Sequence, residues 1–489
     1  MMNAAGATGF RACGPQPIIP AMLLRTFRVI SFGCKVNQAE GEGLAERLRA
    51  AGMEEAAAGA AACAAAGAAA PAASPAAADV VIINTCAVTG EAARQARQAV
   101  RHALRSGAAV AVTGCAAHPA AGDQALRAIA GVLLVEPDKD RAAERLIQRG
   151  ARNAERGANS TPHSALPRAR ALLKIQDGCP AACTYCIVPK VRPQAWSLPP
   201  DEAAARIARL VSDGYREIVL CGIHLGLYGV RNAECGVLNE GAAAPAAGLL
   251  HLVDRLIALP GRWRLRLSSI EPMEVSDALL ALMAANPERL CPHLHVPLQS
   301  GSGAVLARMG RPYAAAGFLA LAERIRRTLP RPAITTDVLA GFPGETDADH
   351  RETLRVCREA AFSRIHVFPF SPRPGTAAAA MGPPVPPQVV RVRRREVAAL
   401  GAELAARFRQ ALVGSAAEVA IERLLPDGSA EGTSERYVRV RVPAPLPPGA
   451  ARREIVAVRV VRALADRLEG EAKYARERRN YLHPPCREA

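Results

Sequence analysis

The segment DGCPAACTYCIVP sets the strictest condition on this chain. It holds Cys179, Cys183 and Cys186 in a C-x3-C-x2-C spacing, in a turn with Gly178 and Pro180, directly after the predicted strand ALLKIQ. Three thiolates on one loop can ligate three irons of a [4Fe–4S] cube and leave the fourth iron open. Zinc would want a fourth ligand close by, and His163 and His224 lack zinc-finger spacing. Three purely structural cysteines are the competing reading. If the loop is a site, it needs strand ends that share an edge to hold it.

The pattern around it supplies such strands. Six segments, ALLKIQ, EIVLCG, RLRLSS, HLHVPL, AITTDVLAGF and RIHVFPFS, are predicted strands with helical stretches between most pairs. This predicts an open (β/α)6 partial barrel over 169–400, with Val230–Gly248 as a loop insertion. Upstream, RTFRVISFGCKVNQAE, ADVVIINTCAVTGEAARQARQAVRHAL and AAVAVTGCAAHP repeat strand, turn and helix. They predict a small parallel α/β domain over 25–140, interrupted by an Ala-rich insertion at 54–78. Residues 1–24 read as a disordered extension and 141–168 as a linker. A basic helix, VVRVRRREVAALGAELAARF, leads to SAAEVAIERLL, RYVRVRV and REIVAVRVV, the strands of a small all-β barrel at 414–471. A basic tail follows at 472–489. The chain is thus α/β in class, with an all-β end.

Thirteen cysteines stand in a sequence whose start, MMNAAGATGFRACG, lacks the pattern of a signal peptide. No run of about 18 strongly apolar residues suggests a membrane span. A cytoplasmic, reducing setting is expected, where clustered cysteines indicate metal or redox chemistry rather than disulfides. The net charge of +17 favours an anionic partner, but 57 of the 62 basic residues are Arg beside an excess of Ala. That is as much a composition bias as a binding signal.

A second trio lies upstream. Cys34 in SFGCKVNQAE, Cys86 in IINTCAVTGEA and Cys115 in VTGCAAHP each end a predicted strand of the same small domain. Parallel strand ends converge on one edge, so three cysteines distant in sequence can meet there. Separate buried thiols are the alternative.

On these residues the chain resembles the radical S-adenosylmethionine (SAM) superfamily and, within it, the methylthiotransferase family. The likeness runs from about Arg25 to Gly470 and includes KIQDGC, EIVLCGIHLGLYG, LRLSSIEP, HLHVPLQSGSG, RMGRPY, TTDVLAGFPGET and FPFSPRPGT. It implies two [4Fe–4S] clusters and SAM. Cys179, Cys183 and Cys186 would hold the cluster whose open iron chelates SAM and cleaves it to a 5′-deoxyadenosyl radical. Cys34, Cys86 and Cys115 would hold an auxiliary cluster that carries or donates sulfur. An unreactive C–H carbon gives acid–base chemistry no foothold, which is the physical case for a radical route. Candidate SAM contacts at the barrel mouth are Tyr185, Gly222, His224, Ser268, Glu271, Gln299, Ser300 and Gly341. His293 and His295 read as strand-flanking residues.

The C-terminal segment resembles a TRAM domain, a small barrel that binds RNA. Arg436, Arg439 and Arg441 are expected to alternate along one strand and share a face. With Arg391, Arg393, Arg394 and Arg395 they could track phosphates; a merely solvated face is the alternative for the helix cluster. GCKVNQ, NTCAVTGEA and GIHLGLYG resemble the branch acting on threonylcarbamoyl-adenosine in the tRNA anticodon loop. The isopentenyl-adenosine branch more often reads GCQMN and CAVRE. Isopentenyl-adenosine tRNA, a ribosomal-protein aspartate, and a non-catalytic iron–sulfur RNA-binding role are the other readings. The resemblance also implies an electron donor such as flavodoxin or ferredoxin. Three features depart from the family pattern. The segment VPKVRPQAWSLPPDE keeps Arg192 but lacks the usual Gly and second Arg. Cys221 replaces a usual Thr, and His118 a usual Gln.

Overall fold

A computed structural model describes residues 24–56, 78–151, 168–229 and 245–472. The extension before residue 24, most of the Ala-rich insertion, residues 230–244 of the loop insertion, residues 152–167 of the linker and the basic tail past residue 472 lie outside the described residues.

The first unit runs β1 (Thr26–Ser31), α1 (Lys35–Ala50), β2 (Glu54–Glu55), β3 (Val80–Thr85), α2 (Gly90–Arg105), β4 (Ala109–Gly114), α3 (Gln124–Arg127), β5 (Leu134–Val135) and α4 (Lys139–Ala151). Its parallel sheet has the order β2-β1-β3-β4-β5. Every residue of β3 is buried, as a central parallel strand with helices on both faces requires. The Thr89 hydroxyl caps α2 by accepting from Ala92 N, and Ala92, Ala93, Ala96 and Ala103 give that helix a thin face that lies close to the sheet. Two boundaries differ from expectation. The helix α4 crosses the domain end predicted at Asp140 and occupies the start of the expected linker. Its Ala142, Ala143 and Leu146 pack with Leu48 and Ile82, a narrow apolar stripe that the surrounding charges hide. Glu54 and Glu55 pair with β1, so the Ala-rich insertion begins after them.

The central unit contains β6 (Ala171–Lys174), β7 (Gln176–Asp177), α5 (Val188–Val191), β8 (Trp196–Ser197), α6 (Pro200–Ser212), β9 (Glu217–Cys221), α7 (Pro245–Ile257) and β10 (Arg264–Leu267). It continues with α8 (Asp277–Ala285), β11 (His293–His295), α9 (Gly303–Arg308), α10 (Ala315–Thr328), β12 (Ala333–Ala340), α11 (Asp347–Ala360) and β13 (Arg364–Pro369). Two parallel sheets, β10-β9-β6 and β11-β12-β13, are joined by the bridges Leu265↔Leu290 and Ser269↔His295. All six predicted strands therefore line up as one open, parallel partial barrel. Ile218, Leu220, Leu265, Leu267, Ile334 and Val338 belong to the apolar core shared with the helices. The alternate residues, including Glu217, Arg266, Asp337 and His366, face inward by the two-residue strand period. The lumen is polar.

The last unit is α12 (Pro387–Ala411) followed by β14 (Ala416–Leu424), β15 (Ala430–Ser434), β16 (Arg439–Val442), β17 (Ile455–Ala463) and β18 (Leu468–Ala472). These strands close into a barrel of order β14-β15-β16-β18-β17, filled by Val419, Ile421, Val440, Val442, Val458 and Val460. It docks on the central barrel through two buried arginines. Arg264 donates to Glu418 O (2.9 Å), and Arg266 donates to Glu435 O (2.8 Å) and Ser434 O (2.9 Å). Both also bind the fully buried carboxylate of Glu217. The flanking guanidinium groups overcome burial and hold that carboxyl well below the usual range.

Candidate active site

The loop Cys179–Cys186 sits over the C-terminal end of β6. Gln176 fixes its entry: Nε2 donates to Asp177 O and Gly178 O (2.8 Å each), and Oε1 accepts from His224 N (2.8 Å). Gly178 has φ 78°, and a Cβ there would lie 2.0 Å from Gln194 O, so only glycine fits. On the far side, Thr184 donates from N to Met309 O (3.0 Å) and from Oγ1 to Arg308 O (2.8 Å).

Cys34, Cys86 and Cys115 follow β1, β3 and β4 along one edge of the first sheet. They lie close enough for the thiols to influence one another electrostatically. Gly33 (φ 90°) abuts Cys86, whose Sγ would lie 2.5 Å from a Cβ at that position.

Each of the six sulfurs faces at least one N–H group. Asn37 N lies 3.5 Å from Cys34, Val88 N 3.5 Å from Cys86 and Arg192 Nε 3.3 Å from Cys115. His224 Nδ1 lies 3.4 Å from Cys179, Arg311 Nη1 3.2 Å from Cys183 and Val188 N 3.4 Å from Cys186. Donors aimed at sulfur suit thiolate ligands. Burial pushes the bare thiols of Cys86 and Cys186 up to about 12, so cluster binding there would release protons. Among the described residues no three Cys, His, Asp or Glu side chains gather around a single point.

Arg192 stands between the trios. Its guanidinium contacts Cys115 Sγ, pairs with Glu40 of α1 (2.7 Å) and pairs with Asp177 at the root of the other loop (2.7 Å). Its carbonyl accepts from Cys179 N (3.4 Å). These ion pairs outweigh burial and hold Arg192 firmly charged. The altered segment thus retains the residue that ties the two cysteine groups together.

The expected SAM contacts divide. Tyr185 is half-buried beside the loop, with burial raising its phenol. His224 spans Cys179 and Glu274 (2.6 Å); burial disfavours its charge, but those two hydrogen bonds prevail and lift the imidazole to about 10. Gly222 backs onto Gln176. Ser268 is buried with its hydroxyl unpartnered, and Glu271 pairs with Arg311. Gln299 has φ 63° at a bridge to Val338. Two residues have partners in the protein interior. The Ser300 hydroxyl is taken by Thr353 (3.2 Å) and Ser302 N (3.2 Å). Gly341 is required by packing, since a Cβ would meet Val390 of α12 at 2.4 Å. Sequence reasoning did not single out Gln176, Glu274 or Arg311, although KIQDGC and RMGRPY already carried the first and last.

The arginines also divide. Arg391 and Arg394 are exposed on α12, but Arg393 is buried against Glu345 and Asp347 and is not free for phosphate. Arg436 precedes β16 and donates to Arg331 O (2.9 Å), Pro330 O and Glu435. It therefore does not share a face with Arg439 and Arg441, because it lies an odd three positions before Arg439 and outside β16. Arg439 is exposed, and Arg441 pairs with Asp427.

Residues 173–357 match the family model described as the radical SAM superfamily, and residues 62–135 match uncharacterized protein family UPF0004. A threonylcarbamoyladenosine tRNA methylthiotransferase of Thermotoga maritima is 33% identical over 427 residues, covering 85% of this chain and 91% of that protein. A second of the same name, from Bacillus subtilis, is 32% identical over 431 residues, covering 84% and 88%. A tRNA-2-methylthio-N(6)-dimethylallyladenosine synthase of Mycobacterium bovis is 34% identical over 435 residues, covering 86% and 80%.

Proposed function

Because this chain belongs to the radical SAM methylthiotransferase family, we propose that it methylthiolates C2 of N6-threonylcarbamoyladenosine beside the anticodon of tRNA. The observation that carries the reading is the Arg192 bridge, which joins Cys115 of one trio to Asp177 at the root of the loop that holds the other. Family members use two [4Fe–4S] clusters and SAM. When bound, these supply the radical and the sulfur.

The chain's own residues hold and orient. Cys179, Cys183 and Cys186 would ligate the SAM-binding cluster, and Cys34, Cys86 and Cys115 the auxiliary one. Arg311 joins Cys183 to Glu271, and His224 joins Cys179 to Glu274, so the cluster loop and the wall of the barrel mouth keep one geometry. Ser268 offers an unpartnered hydroxyl at that mouth. Exposed Arg391, Arg394 and Arg439 would meet phosphates, with Arg441 two residues beyond Arg439 on β16. An anticodon-loop base can leave its stack to enter the barrel. A low-potential donor such as flavodoxin or ferredoxin supplies the electron.

Supporting the branch are the relatives named for threonylcarbamoyladenosine and the motifs GCKVNQ, NTCAVTGEA and GIHLGLYG. The Mycobacterium bovis relative favours isopentenyladenosine as a second reading. Mass spectrometry of tRNA nucleosides from a deletion strain decides between them. Loss of methylthio-threonylcarbamoyladenosine, restored by the gene, is expected; loss of the isopentenyl derivative alone would transfer the assignment.

A further inference from the structure

One group of side chains in the central lumen is used neither by the cysteine loops nor by the bridge to the small barrel. The strand register sets Asp337 of β12 opposite His366 of β13. On the other side, His295 Nε2 lies 3.3 Å from Asp337 Oδ2, and the rings of His295 and His366 meet edge to face with centroids 6.0 Å apart. This layer is open: the His295 side chain is 12% exposed and that of Asp337 29%. Phe368, one inward position further along β13, is 38% exposed.

Lys35 enters the same space from the first unit. Its Nζ lies 5.6 Å from the centroid of Tyr437, and its charge acts on His366 and on the buried His293. Arg170, Arg264 and Arg266 are committed, since all three pair with Glu217, while Arg364 acts on His366 from the exposed start of β13. Among the described residues no acceptor takes the Lys35 ammonium; only an aromatic face meets it.

An uncommitted ammonium in a walled space calls for an anion. Asp337 and His366 beside it call for hydroxyl and amide groups, and His295, held between Thr335 (2.9 Å) and Asp337, orients that carboxylate. An apolar isoprenoid substituent would offer the Lys35 ammonium no acceptor. Lys35 directly follows Cys34, so adjacent residues can serve two ends of one base: the sulfur side and the substituent side.

We propose that Lys35, His295, Asp337 and His366 form the pocket for the polar N6 substituent of the target adenine, with Lys35 binding its carboxylate. This rests on the threonylcarbamoyl reading and adds the residues that select it.

The test uses the full-length, cluster-loaded protein and two anticodon stem-loop RNAs. They are identical except that one carries the threonylcarbamoyl group as the free acid and the other as its methyl ester. The wild-type protein should bind the acid about tenfold more tightly or better, the usual range for a hydrogen bond to a charged group. Lys35→Gln should abolish that ratio and raise KM more than it lowers kcat. Lys35→Arg should recover part of it, with iron content checking that each variant is folded. A ratio retained in Lys35→Gln, or absent in the wild type, overturns the proposal. Product formed on threonylcarbamoyl tRNA alongside a retained ratio removes the pocket alone. Product on isopentenyl tRNA only removes the substrate reading, and the pocket with it.

Discussion

The central barrel carries Glu217, Arg264, Arg266, His295 and Asp337 on its inner face, whereas the small C-terminal barrel is filled by Val419, Ile421, Val440, Val442 and Val458. The contrast follows from where each can bury apolar surface. A closed five-strand barrel without a surrounding helical layer has only its interior for a hydrophobic core. The central barrel buries Ile218, Leu220, Leu265 and Leu267 outward against its helices, which leaves its interior open to charge. Chemistry and recognition can then occupy a lumen that the fold does not need for its apolar core.

The largest expected effect lies at the rim of the polar barrel. Cys183→Ala should reduce 5′-deoxyadenosine formation from SAM by about a thousandfold or more, to background, because an iron ligand is lost. Chromatography of the reaction products measures it, and substantial residual cleavage would place the chemistry elsewhere. Next come the two interiors. Glu217→Ala strands two buried guanidinium groups and should lower stability by about 3–5 kcal/mol in urea titration. Ile421→Ala should cost about 2–5 kcal/mol, with hydrogen exchange accelerating mainly in the small barrel. Equal acceleration in both units after Ile421→Ala would show that they unfold together.

Acid separates the interiors further. Burial, with the charges of Arg266 and Lys35, keeps His293 neutral far below its ordinary range, and His366 is lowered to about 4, chiefly by burial. Each gains a proton more readily when unfolded. Their contribution is therefore complete above about pH 6.5 and declines as pH falls from there toward the folded values. One such group changes stability by up to about 1.4 kcal/mol per pH unit. Thermal denaturation should show this slope, and His293→Gln should flatten it. The smallest effect concerns the outside of the small barrel. Arg439→Ala should leave SAM cleavage intact and reduce the salt dependence of RNA binding by about 0.7–0.9 in logarithmic slope. An unchanged slope would remove Arg439 from the RNA face.

Much of this was legible in the sequence. Six central strands, both cysteine trios and the C-terminal β-unit follow from local patterns that survive folding. Short strands without apolar alternation, such as AEGTS and LEGEA, were not legible, because their place is set by the partners that close the barrel. Arg393 illustrates the limit at the level of single residues. In VRVRRREV it looks like its neighbours, and only the position of Glu345 across the chain makes it an internal cation. RLRLSS reads as an ordinary alternating strand. Nothing local indicates that its arginines point into a lumen, where carbonyls of a distant domain receive them.

Tyr437 gives the two barrels a shared fate. With φ 60°, it leaves the small barrel and sets its ring 4.7 Å from the ring of His293 and 5.1 Å from the Arg266 guanidinium. The polar lumen is thus floored by a residue that belongs to the small C-terminal barrel. Cutting the chain before β14 would do more than remove a barrel: it would take the bottom out of the vessel. For the same reason, a foreign RNA-binding barrel grafted at α12 would have to bring its own stopper.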